Sequence, residues 1–246
     1  MKVFLINLKK NPERLKKSTS QLESLGVEFE RIEGVYGKDL SQHDKDLSVN
    51  RFRWWCAQGR KIRDGEIGCA LSHYGIYQKM IDEQLDCACI LEDDNKYNKQ
   101  FKDVIERLES LVDINKPQVV LLSNYTGIEL RSDEICIKST NRDITTSSYV
   151  ITRYAAESIL RANYPICVPC DYWVRWVSRG LIQLYHSIPT VCMQEGRNVG
   201  GGKDSHFTSD VEEANMERVS EFGFCRFVFH KLKRIIGVAI DKCLPV

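Results

Sequence analysis

The chain has 246 residues, 43% hydrophobic and 28% charged, with only 15 Gly and 6 Pro. That balance excludes a disordered, fibrous or low-complexity protein, and the length suits one large domain or two small ones. Thirty-five Lys and Arg face 34 Asp and Glu, so a net charge of +1 supplies no global field for nucleic acid.

The elements follow in chain order. Lys2 to Leu8 carries the β-prone run Val3, Phe4, Leu5, Ile6 and predicts a strand. Asn11 then reads as an N-cap with Pro12 at the first helical position; Leu15, Leu22 and Leu25 form the apolar stripe, and Gly26 stops the helix. Val27 to Ile32 predicts a second strand. Residues 34–64 are less regular and hold the basic and aromatic cluster Arg51, Arg53, Trp54, Trp55, Arg60, Lys61 and Arg63. Asp64 is placed to cap a helix with Ile67, Ala70, Leu71, Tyr74 and Ile81 at helical spacing. Cys87 to Leu91 predicts a buried strand that ends in Glu92-Asp93-Asp94. A helix over Phe101–Val112, strands over Gln118–Leu122 and Ser148–Thr152, and helices over Arg153–Arg161 and Asp171–Arg179 follow. Leu181–Tyr185 and Thr190–Met193 read as late strands.

Strands alternating with helices predict an α/β fold with a largely parallel sheet. There is no internal repeat and no linker before about residue 195. Gly196 to Asp210 is Gly-rich and polar, so residues 196–221 read as a mobile loop and connector. In the tail over 222–246, Phe224, Phe227, Val228, Leu232, Ile235, Ile236, Ala239 and Ile240 recur every three or four residues. Arg226, His230, Lys231, Lys233 and Arg234 fall mostly between them. A basic amphipathic helix of this kind suits an anionic membrane interface; packing on the protein's own core is the alternative.

Ten cysteines are scattered along the chain. Cys87 and Cys89 share one face of an apolar run, and Cys167 and Cys170 form a C-x-x-C with neither the redox nor the zinc context around it. Buried free thiols in a reducing compartment are expected. The apolar run Val3–Leu8 is too short for a secretory signal, and nothing approaches a spanning helix of about 20 apolar residues. An intracellular chain is therefore expected, for which the Asn124-Tyr125-Thr126 sequon is without consequence.

The strongest chemical signal is Ile90-Leu91-Glu92-Asp93-Asp94. Two unit charges about 4 Å apart cost on the order of 4 kcal/mol at an effective dielectric of 20, and a divalent cation would offset that repulsion. Strand alternation would put Glu92 and Asp94 on one face and Asp93 on the other. Hard oxygen ligands at the carboxyl end of a strand suit Mg2+ or Mn2+ beside a phosphate. An acidic loop with Asp as a helix N-cap is the plain alternative.

Several segments, in order, resemble glycosyltransferase family 25, the bacterial lipooligosaccharide galactosyltransferases related to collagen galactosyltransferases. They are Ile6-Asn7-Leu8 with Arg14, the G-x-x-G-C-x-x-S-H stretch from Gly65 to His73, and the acidic triplet. Ser148–Thr152 with Ala155 and Ala156, Pro169-Cys170-Asp171, and Pro189 to Gln194 follow. The resemblance spans roughly residues 3 to 195. It implies a GT-A-like, Rossmann-type catalytic domain over 1–195, a mostly parallel sheet flanked by helices, with the C-terminal amphipathic helix appended. It implies a nucleotide-side role for Asn7 and Arg14, although Arg14 also lies where a solvated helix face is expected, and makes the triplet the equivalent of a D-x-D motif. Asp94 is then the metal ligand, with Glu92 and Asp93 orienting metal and nucleotide; Glu92 in place of Asp leaves it either on the metal or on the ribose. The implied reaction moves galactose from UDP-galactose to a terminal lipooligosaccharide sugar, inverting and plausibly β-1,4, with Mn2+ or Mg2+, at the cytoplasmic face of the inner membrane. An inverting transfer needs one base, worth about 100- to 10,000-fold; Asp171 is the candidate, with an ordinary N-cap carboxylate as the plain alternative. His73 either hydrogen-bonds the diphosphate or closes a helix turn. Trp54 and Trp55 either stack on a sugar or divide between core and surface. Arg51, Arg53, Arg60 and Arg63 either hold phosphates or form a solvated basic loop. The rivals are a UDP-glucose-dependent transferase, a sugar nucleotidyltransferase, whose Gly-rich N-terminal loop this chain does not carry near residues 9–17, and a non-catalytic membrane scaffold, which does not need the intact triplet.

Overall fold

The computed structural model describes residues 1–123, 130–140 and 145–195. The expected connector over 196–221, the amphipathic tail over 222–246, the Asn124 sequon, Cys225 and Cys243 lie outside the described residues. The elements are β1 (Lys2–Asn7), α1 (Pro12–Ser24), β2 (Glu30–Glu33), α2 (Gln42–Ser48), α3 (Arg51–Gln58), α4 (Asp64–Asp82), β3 (Cys87–Glu92) and β4 (Asn95–Tyr97). They continue with α5 (Phe101–Leu111), β5 (Gln118–Leu121), β6 (Cys136–Ser139), β7 (Ser148–Thr152), α6 (Arg153–Asn163), α7 (Trp173–Ser178), β8 (Gln183–Ile188) and β9 (Cys192–Gln194).

A seven-stranded sheet runs β2-β1-β3-β7-β5-β8-β6, and β4 pairs with β9 in a separate two-stranded sheet. The β1–β2, β1–β3 and β5–β8 pairs are parallel. β7 is antiparallel to both β3 and β5, and β6 is antiparallel to β8. Five strands therefore share a direction, and the sheet is mostly parallel.

Successive strand side chains point to opposite faces, so each apolar run feeds two cores. Phe4, Ile6, Ala88, Ile90, Val119, Leu121, Tyr149 and Ile151 pack with Ile67, Tyr77 and Met80 of α4, Ile159 of α6 and Trp173 and Trp176 of α7. Val3, Leu5, Cys89, Leu91, Val120 and Val150 pack with Leu22 of α1 and Phe101, Val104 and Leu108 of α5. Each such fully buried side chain contributes about 1.5–3 kcal/mol. Helices therefore cover both faces, and ligand access is left to the strand ends.

Several local expectations are corrected. Asn11 precedes α1, but its side chain makes no cap hydrogen bond; its carbonyl accepts from Asn7 Nδ2 instead. β2 starts only at Glu30, after Gly26 at φ 65° has turned the chain. The stretch 34–64, read as irregular, contains α2 and α3. Ser41 accepts from the Asp44 N–H and Asn50 from the Arg53 N–H, so both helices are side-chain capped. Asp64 is the first residue of α4 rather than its cap, and Glu66 accepts the Arg63 N–H. α7 starts at Trp173, with Asp171 outside it and its carbonyl accepting the Trp173 N–H. The last strands are shifted to 183–188 and 192–194. β4 and β6 were not foreseen: one is three residues long, the other is largely exposed.

Candidate active site

The carboxyl ends of β1 and β3, the start of α1, one face of α4 and the loop 35–37 enclose a cleft of about 150 Å³. Arg14, Tyr36, Cys69, His73, Gln194 and all three acids of the triplet line it. Open α/β sheets bind ligands at this end of their strands.

β3 ends at Glu92, and Asp93 and Asp94 form a turn. The strand alternation expected for Asp94 therefore stops one residue early, and each acid meets a different partner. Asp93 accepts from Asn7 Nδ2 at 2.6 Å and lies 3.4 Å from Arg14 Nη1. Ser18 Oγ donates to its carbonyl at 2.9 Å. The Oδ1 of buried Asn7 in turn accepts from Arg31 Nη2 at 3.1 Å. Glu92 Oε1 accepts from Thr146 Oγ1 at 2.8 Å and faces His73 Nε2 at 3.1 Å. The Nδ1 of His73 is 2.8 Å from the Tyr149 hydroxyl, which is 2.8 Å from that of Tyr77. Both ring nitrogens of His73 thus face protein groups. Asp94 Oδ2 accepts from Gln194 Nε2 at 2.9 Å. Its Oδ1 is buried and has no hydrogen-bond partner among the described residues.

Charge follows these contacts. Burial, then the Glu92 charge, lifts the Asp94 carboxyl to about 7. Burial also raises Asp93, against the hydrogen bond from Asn7 and the charge of Arg14. Burial pulls His73 down, but hydrogen bonds to Cys69 and Glu92 outweigh it and raise the imidazole to about 9. The Cys69 thiol, 3.6 Å from the Cys170 sulfur, is held down to about 6 by that hydrogen bond and by His73, against burial. Two of the three acids are therefore compensated by Asn7, Arg14 and His73, whereas Asp94 has one amide. A buried polar oxygen without a partner costs about 1–3 kcal/mol, and a hard cation would relieve it.

The remaining predicted residues lie elsewhere. Asp171 is half-buried and is not a lining residue; it follows Cys170, whose sulfur meets Cys69 on the cleft wall. Trp54 is buried in the core beneath Arg60, and Trp55 is exposed, so the pair divides between core and surface. Arg51 pairs with Asp46 and Arg60 with Glu66, contacts that compete with phosphate binding. The eight described cysteines are free thiols.

Sequence reasoning missed Tyr149, Thr146, Gln194 and the loop 35–37. Tyr149 is the one aromatic hydroxyl in a fully buried strand, a weak signal for a buried polar link. Gln194 closes a motif that had been noted without a role, and nothing marks Thr146. The loop was legible in principle from Gly68 and Ser72. Ser72 Oγ accepts the Val35 N–H at 2.8 Å and donates to the Gly68 carbonyl at 2.7 Å. A Cβ on Gly68 would stand 2.4 Å from the Val35 oxygen, so only glycine lets the helix carry this loop against the cleft.

Acids gathered at the carboxyl end of a central parallel strand, beside the end of its parallel neighbour, define a ligand-binding α/β domain. The model of Glycosyltransferase family 25 (LPS biosynthesis protein) matches residues 1–174, and the chain belongs to that family. Procollagen galactosyltransferase 2 of Homo sapiens is 31% identical over 174 residues, 65% of this chain and 27% of that protein. Procollagen galactosyltransferase 1-B of Xenopus laevis is 34% identical over 113 residues, 45% of this chain and 18% of that protein. The chain thus spans about a quarter or less of the curated relatives' length. A putative glucose-1-phosphate thymidylyltransferase structure from Bacillus anthracis, in complex with a sucrose, is 11% identical with a TM-score of 0.41, over 91% of this chain and 79% of that one. No helix among the described residues is long and apolar enough to cross a membrane.

Proposed function

We propose that the protein transfers galactose from UDP-galactose to a terminal sugar hydroxyl of a lipooligosaccharide, in the cleft lined by the acidic triplet. The observation that carries the reading is the buried Asp94 Oδ1, without a hydrogen-bond partner among the described residues, set beside Glu92 and Asp93 at the end of β3. The donor sugar follows the galactosyltransferase relatives, and the acceptor follows the family's description. UDP-glucose is the alternative donor.

The donor set fits a hard divalent ion, Mn2+ or Mg2+, because carboxylate oxygens dominate it and one is unpartnered. Asp94 would hold that ion with Glu92, and the bound ion would neutralise charge on the departing diphosphate. The chain's own residues do the rest. His73 and Thr146 fix the Glu92 carboxylate, while Asn7 and Arg14 fix Asp93 toward the nucleotide. Asp171, which does not line the cleft but follows Cys170 beside its wall, takes the proton from the acceptor hydroxyl as that oxygen attacks the anomeric carbon from the face opposite UDP; this inverts an α-linked donor to a β linkage, and a 4-hydroxyl acceptor makes it β-1,4. The basic tail over 222–246 would hold the enzyme at an anionic membrane face, where a lipid-linked acceptor resides.

The test is Asp94→Ala. UDP binding is measured by calorimetry with and without Mn2+, and sugar transfer to the oligosaccharide with a panel of UDP-sugars. Loss of Mn2+-dependent UDP binding and of transfer is expected, with UDP-galactose the preferred donor in the wild type. Full retention of both properties by the variant removes the reading.

A further inference from the structure

The cleft wall carries a second set of metal-binding groups of a different chemical kind. Cys69 and His73 are four residues apart on α4, so one helix face presents both. Glu92 comes from the end of β3 and Cys170 from the turn before α7. One ligand atom each of Cys69, His73 and Glu92 lies within 4.8 Å of the others. Cys69 and Cys170 sulfurs are 3.6 Å apart, and His73 Nε2 is 3.1 Å from Glu92 Oε1.

The two shortest of these separations match pairs of ligands on one small ion, while the Cys170 sulfur meets Cys69 alone and stands outside the group of three. At a Zn–S length of about 2.3 Å, two thiolates on a tetrahedral zinc stand ~3.8 Å apart. At Zn–N and Zn–O lengths of about 2.1 Å, a nitrogen and an oxygen stand ~3.4 Å apart. Both observed pairs agree to a few tenths of an ångström, and four-fold ligation requires the Cys170 side chain to turn from Cys69 toward His73 and Glu92 as the ion binds. The supporting contacts are also in place. His73 Nδ1 is 2.8 Å from the Tyr149 hydroxyl, which leaves Nε2 directed at Glu92, and Thr146 orients the Glu92 carboxylate. Thiols and imidazole select zinc and its soft neighbours, whereas the Asp94 oxygens select Mg2+ or Mn2+. The C-x-x-C does not pair internally: Cys167 Sγ bonds Asn163 Oδ1 at 3.2 Å, and Cys170 turns to Cys69.

We propose that Cys69, His73, Glu92 and Cys170 form a zinc-binding site, and that zinc there withdraws Glu92 from the donor cleft and inhibits transfer. Coordination releases the thiol and imidazole protons to solvent. The binding claim stands without the transferase reading; the inhibition claim rests on it.

The full-length, metal-free chain, kept reduced with a phosphine, is titrated with Co2+. The expected result is a near-ultraviolet thiolate-to-cobalt charge-transfer band with tetrahedral visible bands. It saturates at one ion per chain and is bleached by Zn2+. Cys69→Ser should lose that band, and Cys170→Ser about half of it, with circular dichroism verifying the fold of each. A wild type without the band, or either variant retaining it in full, overturns the site. In UDP-release assays with excess Mn2+, Zn2+ should inhibit the wild type, and Cys170→Ser should raise the half-inhibitory concentration about 10- to 100-fold. Equal inhibition of the two overturns the inhibitory role. A wild type with no transfer at all refutes the transferase reading and leaves the cobalt spectrum to decide the site.

Discussion

Gly68→Ala sets two effects of opposite sign against each other. Gly68 lies inside α4, where helix propensity alone would make alanine better by about 1 kcal/mol. The added Cβ, however, would stand 2.4 Å from the Val35 oxygen and 2.7 Å from the Gly37 nitrogen. Both are backbone atoms, and the Val35 N–H is already tied to Ser72 Oγ, so the loop cannot slide away without losing that bond. Overpacking costs about 1–3 kcal/mol, and backbone contact puts this site at the upper end. The expected net loss is about 2 kcal/mol, or ~4–8 °C in Tm for a chain of this size. Gly75→Ala is the control: it sits in the same helix, and its Cβ would meet nothing within 4 Å, so it should be neutral or stabilising by up to about 1 kcal/mol. Because residues 35–37 wall the cleft, Gly68→Ala should also weaken UDP binding. Thermal and urea melts of the three proteins measure the difference. If Gly68→Ala is as stable as Gly75→Ala, the close approach of α4 to the loop is not what requires glycine there.

Three further outcomes follow from the site. The Asp94 carboxyl, raised from 3.8 to about 7 by burial and Glu92, holds its proton longer when folded than when unfolded. Without metal, stability should therefore fall as pH rises from about 4 to 7, and Asp94→Asn should remove that slope; wild-type and variant melts with equal slopes would refute it. Asp171→Asn should keep UDP binding while turnover drops about 100- to 10,000-fold, and unchanged turnover would exclude Asp171 as the base. Deleting residues 222–246 should release the protein from anionic vesicles in a sedimentation assay, and equal sedimentation of both forms would dismiss the membrane role of the tail.

The central strands were legible because they are buried on both faces. Runs such as Val3–Ile6 and Cys87–Leu91 are continuous and apolar, and α5, with Phe101, Val104, Ile105 and Leu108 buried, shows the expected helical period. The elements that escaped lack such a stripe. Of the eight residues of α3, only Trp54 and Cys56 are buried, so its cap at Asn50 was the better guide than its hydrophobicity. β6 is mostly exposed and held by pairing to β8, and a register that sets Cys136 against Ile188 leaves no local mark. The antiparallel setting of β7 between β3 and β5 was equally hidden, because a buried strand reads the same in either direction.

The acidic triplet was legible as a site, yet its division of labour was not, and the reason is one residue of backbone. Had β3 continued through Asp94, Glu92 and Asp94 would share a face and share partners. The strand stops at Glu92, and the turn that follows sends Asp93 to Asn7 and Arg14 and Asp94 to Gln194. Three adjacent charges are thereby spread over three supports: β1 with α1, α4 with the segment before β7, and β9. The same logic separates what spacing could reveal about the thiols. Cys69 and His73, four apart on a helix, share a face by arithmetic alone. Cys170 reaches Cys69 across 101 residues, a distance that only the packing of the turn before α7 against α4 closes. Chemistry that depends on one element can be read from its period; chemistry that depends on two elements meeting requires the fold.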